Sequence, residues 1–179
     1  RIRTMWPLLV GVLILSLLLS GCGGAQTPKV YRVGILSGSD AMAPIVDGFK
    51  AKMTELGYVE GKNIVYDSPK ATGDKAGQLS IAQKFVQDKV DLIFAYPTVP
   101  ALEGKAATQG TTIPVVFANG GVDGTGLVNS VREPGGNLTG VRSLSGEVVG
   151  KRLEFLLQLA PQVKRLYIPY DVNYPLNPV

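Results

Sequence analysis

The sequence contains no histidine among its 179 residues, and its single cysteine is Cys22. Without histidine the chain cannot form a Ser-His-Asp or Cys-His catalytic group, a histidine-ligated zinc site or a histidine general base. Because Cys22 has no second cysteine to pair with, a disulfide within the chain is excluded. Few enzyme mechanisms remain, so we predict a protein that is not an enzyme and has no catalytic residues.

Motifs for phosphate, metal ions and nucleic acid are also missing. No G-x-x-x-x-G-K-[ST] segment occurs, and the acidic residues are scattered without the spacing of a calcium loop. Two of the eighteen basic residues and none of the fourteen acidic ones lie in residues 1–21, so the net charge of the remainder falls from +4 to +2. No basic cluster is left to contact a phosphate backbone. We therefore expect no cofactor, no metal ion and no nucleic-acid partner.

The N-terminal segment is an apolar run followed by small residues. Two arginines precede the apolar residues 6–19, and Ser20-Gly21-Cys22 follows them. This order is typical of a lipoprotein signal peptide over residues 1–21, with lipidation at Cys22 and a linker over 22–29. An uncleaved transmembrane anchor is the alternative, but the run is shorter than the roughly 20 residues needed to span a bilayer. The prediction is an exported protein, lipid-anchored to the outer face of the cytoplasmic membrane or in the periplasm.

Beyond this segment, short apolar runs alternate with amphipathic helical patterns. Predicted strands cover residues 30–37, 64–66, 91–95, 114–118 and 138–141. Predicted helices cover residues 45–56, 79–86, 98–109 and 148–157. This alternation predicts an α/β fold with a doubly wound parallel sheet. In such a sheet, ligands bind beyond the carboxyl ends of the strands, near the point where the strand order reverses.

A further apolar run predicts a sixth strand at residues 163–170. In a one-lobe protein this strand would complete the sheet, and in a two-lobe protein it would open a second sheet. We expect a first lobe over residues 30–142 and a hinge with a crossover helix over 143–162. Residues 163–179 would then be the start of a second lobe that is mostly missing by truncation.

The loops after the predicted strands supply the candidate ligand-binding residues, which are Ser37, Ser39, Asp40, Tyr96, Thr98, Asn119, Asp123, Asp171 and Tyr174. Free backbone N–H groups in the loop at residues 37–39, and the positive end of the helix that follows, favour a ligand carboxylate. Ordinary helix capping by Ser39 or Asp40 is the alternative.

The other candidates also have two interpretations each. The aspartates can pair with a ligand ammonium or remain solvated in their loops. Tyr96 and Tyr174 can stack on an apolar or aromatic ligand group, or they can pack in the core or lie exposed. Thr98 begins a predicted helix and can be its N-cap, a hydrogen-bond donor to the ligand, or both. Asn119 ends a predicted strand, where its amide can satisfy either a ligand or a turn.

Several segments, taken together in their order and spacing, resemble one known family. They are residues 49–63, which end in LGYVEGKN, and AQKFV at 82–86, IPVVF at 113–117, GLV at 126–128 and PGGNLTGV at 134–141. The resemblance covers residues 30–174 and is to the ABC-transporter substrate-binding lipoproteins of the tryptophan/tyrosine transport type. It implies a type I periplasmic-binding-protein fold with two lobes and a small-molecule solute, amino-acid-like, bound between them. It also implies an ABC permease with a cytoplasmic ATPase as partner.

The leading functional hypothesis is therefore the solute-binding component of an ABC importer, which captures its ligand in an interlobe cleft. A sensory ectodomain of the same fold, which reports the ligand to a receptor, is the alternative. A secreted enzyme on a flavodoxin-like scaffold would need catalytic residues that these 179 residues do not supply.

Overall fold

The computed structural model of the protein describes residues 29–169, apart from the side chains of residues 145–147. The predicted signal peptide, the lipidation site Cys22 and the candidates Asp171 and Tyr174 lie outside the described residues. Within residues 29–169, no helix is long and apolar enough to cross a bilayer.

Five strands form one parallel sheet: β1 (Tyr31–Ser37), β2 (Ile64–Asp67), β3 (Leu92–Tyr96), β4 (Val115–Gly120) and β5 (Leu138–Arg142). Their order across the sheet is β2-β1-β3-β4-β5. From β1 the chain goes to β2 on one side and then to β3 on the other, so the strand order reverses between β1 and β3. The predicted α/β fold with a doubly wound sheet is confirmed.

Four helices connect or follow the strands: α1 (Ala43–Glu55), α2 (Lys75–Gln87), α3 (Thr98–Ala107) and α4 (Ser145–Leu159). A short 3-10 turn at Asp40–Met42 precedes α1. Asp74 caps α2 by accepting a hydrogen bond from the N–H of Gly77 at 2.7 Å. This bond satisfies one of the donors that the start of a helix leaves unpaired.

Helices on both faces of the sheet create two apolar cores. On one face lie α2 and α3, and Phe85 of α2 is 2% exposed there among buried residues of β1, β3 and β4. On the other face α1 places Phe49 against Phe94 of β3, with stacked rings whose centroids are 4.1 Å apart. Burying one such side chain stabilises the fold by about 1.5–3 kcal/mol. Strands covered on both faces are apolar along their length, which is why they stand out in the sequence.

Part of the α1 side of the sheet is uncovered in the described residues. Val141 of β5 is 71% exposed on this face, beside Ala118 of β4. α4 has an apolar side that is 41–59% exposed at Val149, Leu153, Leu156 and Leu157. These surfaces contribute little to the core described above.

Residues 163–169 form no strand, so the predicted sixth strand is wrong for the described part of the segment. Leu166, Tyr167 and Ile168 are exposed. A strand exists only through hydrogen bonds to a neighbouring strand. Among residues 29–169, no strand pairs with this segment, so its apolar composition alone does not produce one.

Candidate ligand-binding site

The carboxyl ends of β1, β3 and β4 are joined by hydrogen bonds at one edge of the sheet. Ser37, the last residue of β1, is in register with Tyr96, the last residue of β3. The N–H of Gly38 donates to the carbonyl of Tyr96 at 3.1 Å. Beyond β4, the N–H of Gly121 donates to Oγ1 of Thr98 at 2.8 Å. The structure therefore brings three of the predicted loops together at the point where the strand order reverses.

The loop after β1 is held by its own hydrogen bonds. Ser37 Oγ donates to the carbonyl of Ser39 at 3.0 Å, and the Ser39 N–H donates back to Ser37 Oγ at 3.3 Å. Ser39 Oγ accepts from the N–H of Ala41 and caps the 3-10 turn, which confirms the capping alternative for Ser39. The N–H groups of Gly38 and Ser39 are thus both engaged. The expectation that they are open to a ligand carboxylate is wrong, because the loop satisfies them internally.

The end of β3 decides between the alternatives given for Tyr96 and for the N-cap of α3. Tyr96 is 3% exposed and its ring lies 5.7 Å from that of Phe94, so its side chain packs in the core. The peptide bond between Tyr96 and Pro97 is cis. Pro97 occupies the N-cap of α3, so the N-cap alternative for Thr98 is wrong, while its role as a hydrogen-bond donor to the ligand stays a prediction. Thr98 is instead the first helical residue, 7% exposed, and its hydroxyl oxygen accepts from the loop after β4.

The start of α3 is the part of this edge best suited to an anion. The N–H groups of Thr98 and Val99 have no acceptor within the helix, because a helix leaves its first donors unpaired. Pro100 follows them and has no N–H. The positive end of the helix dipole lies at the same place. The sequence indicated Thr98 for its hydroxyl, whereas the structure adds the backbone donors beside it.

The end of β4 has an unusual backbone at Asn119. Its φ is +54°, its side chain is exposed, and the register with β5 is irregular between Ala118 and Gly120. Asparagine adopts this left-handed conformation more readily than most residues. Residues in such conformations cluster at ligand sites. Asn119 is thus presented to solvent at the same edge as Thr98.

The two described aspartate candidates are both exposed. Asp40 lies in the 3-10 turn after β1, and Asp123 lies in the turn after β4. Each is free to meet a ligand ammonium or to remain solvated, so both alternatives stay open. Within residues 29–169, no group of three acidic or cysteine side chains could hold a metal ion.

Sequence reasoning missed Gln78, which lies in α2 and contacts the loop after β1. Its Nε2 donates to the carbonyl of Ser37 at 2.6 Å and also to the carbonyl of Thr72. The available signal was a polar residue on an apolar helical stripe, because Gln78 is spaced one and two turns from the core residues Ala82 and Phe85.

A parallel sheet in this strand order, with polar loops at the carboxyl ends around the reversal, is the architecture of one lobe of a type I periplasmic binding protein. The chain belongs to the ABC transporter substrate-binding protein family, whose model matches residues 31–174.

Individual relatives agree with this assignment. The chain is 35% identical to a protein named "Tyrosine-binding protein" from Clostridioides difficile (strain R20291), over 70% of this chain and 36% of the relative. A ligand-free, open substrate-binding protein with adhesive properties from Clostridium difficile is 34% identical, with a TM-score of 0.62 over 74% of this chain and 45% of that one. An ABC domain in complex with L-Trp from Streptococcus pneumoniae is 26% identical, with a TM-score of 0.58 over 64% of this chain and 39% of that one. The chain thus spans less than half the length of these proteins.

Proposed function

We propose that this protein is the solute-binding component of an ABC importer and that its ligand is an aromatic L-amino acid. The observation that carries the proposal is the family match over residues 31–174, which includes all five strands and the polar edge at their carboxyl ends. Two relatives support the ligand class, one by its name as a tyrosine-binding protein and one by its complex with L-Trp.

The edge offers complementary groups for the common part of an amino acid. We assign the ligand carboxylate to the start of α3, where the Thr98 and Val99 N–H groups and the helix dipole favour a negative charge. The exposed carboxylates of Asp40 and Asp123 are the candidates for the ligand ammonium. The Ser39 hydroxyl hydrogen and the Asn119 amide would supply further hydrogen bonds, and the Ser37 hydroxyl, which donates to the Ser39 carbonyl, would accept one.

The remaining parts of the proposal concern residues beyond this edge. Lipidation at Cys22 would hold the exported protein at the outer face of the cytoplasmic membrane. Bending near residues 143–162 would close a second lobe over the ligand, as in other hinged binding proteins. Asp171 and Tyr174 would contact the ligand from that side. The closed form would then deliver its solute to an ABC permease driven by a cytoplasmic ATPase.

Isothermal titration calorimetry on the complete, lipid-free protein tests the ligand class. We expect saturable one-to-one binding of L-tyrosine or L-tryptophan. The matched controls are tyramine and tryptamine, which keep the ring and the amine but lack the carboxylate, and we expect neither to bind. Absence of saturable heat with both amino acids would refute the aromatic assignment, and binding of the amines at equal affinity would refute the carboxylate position.

A further inference from the structure

Gln78 is a buried amide that joins two loops at the carboxyl edge of the sheet. It is 1% exposed and lies in the first turn of α2. Its Nε2 donates one hydrogen bond to the carbonyl of Ser37, at 2.6 Å, and another to the carbonyl of Thr72. Ser37 ends β1 and Thr72 belongs to the loop that precedes α2. One side chain thus spans 41 positions of sequence to tie these loops together.

The chemistry of the contact defines the orientation of the amide. A side-chain amide has two N–H donors on one atom and a carbonyl acceptor on the other. Both acceptors that Gln78 faces are carbonyl oxygens, so turning the amide around would place Oε1 against them. In the observed orientation Oε1 is buried without a hydrogen-bond partner among the described residues.

An unpartnered buried acceptor costs free energy, which a purely space-filling side chain would avoid. Methionine, for example, would fill the same volume in the apolar stripe of α2 without this cost, but it would lose both donated bonds. The amide is therefore suited to fastening the loop after β1 and poorly suited to simple packing.

The fastened loop is the one that carries the serine candidates. The Ser37 carbonyl, held by Gln78, belongs to the residue whose Oγ bonds the carbonyl and the N–H of Ser39. The next N–H, that of Gly38, bonds the end of β3. A displacement of Ser37 would thus move Ser39 and change the position of this loop relative to α3.

We propose that Gln78 is a positioning residue of the ligand site, which holds the Ser37–Ser39 loop in its binding geometry. This role rests on the proposed function, because it acts on the same site. Gln78 would not touch the ligand and would act only through the loop.

The test compares variants of the complete protein by calorimetry with L-tyrosine and by thermal unfolding. Gln78→Met removes both donors at nearly constant volume, and we expect the affinity to fall at least tenfold. The matched control is Ala82→Gly, one turn further along the same buried stripe. Glycine has a lower helix propensity than alanine, so this variant should have a lower Tm. The contact of Gln78 with the loop after β1 stays intact, so the affinity should stay within about twofold of wild type.

Gln78→Glu gives a readout that general destabilisation does not. An ionised carboxylate has no donor and repels both carbonyls, whereas a protonated one donates a single hydrogen bond. Burial raises the pKa of such a carboxyl. We therefore expect the affinity of this variant, divided by the wild-type affinity at the same pH, to recover partly between pH 8 and pH 5.

The outcomes distinguish the positioning role of Gln78 from the proposed function. Tight binding by wild type together with wild-type affinity in Gln78→Met overturns the positioning role and leaves the proposed function intact. Failure of wild type to bind overturns the proposed function and this role with it. If Gln78→Met does not fold, Gln78→Glu decides, and an affinity of this variant relative to wild type that does not change with pH overturns the role.

Discussion

Replacing Thr98 by valine tests whether the start of α3 belongs to the ligand site. Valine has nearly the shape of threonine but no hydroxyl, so the Gly121 N–H loses the acceptor that lies 2.8 Å away. Thr98 is 7% exposed, so water does not readily replace that acceptor. Leaving a fully buried donor unpaired costs about 1–3 kcal/mol, which is an upper range for this part-buried bond. At about 2–4 °C per kcal/mol for a domain of about 150–250 residues, Tm should fall by up to about 12 °C.

The same substitution should weaken ligand binding. The bond from Gly121 fixes the loop after β4 against α3, and this loop is flanked by Asn119 and Asp123. Once it is released, two proposed ligand contacts lose their fixed position beside the helix start. We expect the affinity for L-tyrosine to fall at least about tenfold, which corresponds to about 1.4 kcal/mol. Calorimetry on the complete protein measures the affinity, and thermal unfolding measures Tm.

Two controls isolate the effect of position. Thr98→Ser keeps the hydroxyl oxygen and should retain both affinity and most of the stability. Thr108→Val makes the same change at the far end of α3, where the buried hydroxyl donates to the Gly104 carbonyl at 2.9 Å. This variant should lose stability without losing affinity. Wild-type affinity in Thr98→Val, or an equal loss of affinity in Thr108→Val, would refute the reasoning.

Three further predictions concern packing, backbone strain and pH. At Gly34 an added Cβ would come within 2.6 Å of a buried phenylalanine ring, so Gly34→Ala should destabilise the protein by about 1–3 kcal/mol. Gly48 lies in an open position of α1, so Gly48→Ala should stabilise the protein by up to about 1 kcal/mol. Urea unfolding of both variants checks the difference. Asn119 has a φ of +54°, which glycine adopts without strain, so Asn119→Gly should keep or raise Tm. The loss of the amide should lower the affinity for L-tyrosine, and an unchanged affinity would contradict a role of this amide in the site. The pKa values of Asp74 and Asp91 are held below their usual range by hydrogen bonds from a threonine hydroxyl and a lysine ammonium. Because the unfolded chain binds these protons more tightly, the stability that the two carboxylates contribute should be lost as pH drops below 3.8 toward their lowered native pKa values. Thermal unfolding checks this, and a Tm that does not fall in that range would contradict the assignment.

The fold was accessible from the sequence because parallel strands buried on both faces are short apolar runs, and the helices between them have a different period. All five strands lie within a few residues of their predicted positions. The sixth was wrong because a strand depends on a partner, which local composition does not report. Residues 163–169 contain the apolar stretch 166–168, yet no described strand pairs with them.

The site was only partly accessible, because its details depend on contacts between distant residues. The rule that ligands bind beyond the carboxyl ends of parallel strands correctly indicated that the loops after β1, β3 and β4 meet. It did not reveal that the loop after β1 uses its own N–H groups, that Pro97 takes the cap of α3, or that Tyr96 turns into the core. The contact of Gln78 with Ser37 spans 41 positions, so no local pattern could predict it.

The described edge also limits which part of an amino acid it can recognise. Its exposed or partly exposed candidates are hydroxyl, amide and carboxylate groups, at Ser37, Ser39, Asn119 and the two aspartates. Its aromatic candidate, Tyr96, is buried. These groups suit the ammonium and carboxylate that every amino acid shares, and they offer no surface on which a ring would stack. If the ligand is aromatic, discrimination between side chains must therefore come from residues outside this edge. Substitution of Thr98 or Asn119 should accordingly weaken L-tyrosine and L-leucine in equal proportion if both bind, while substitution of Tyr174 should change their ratio.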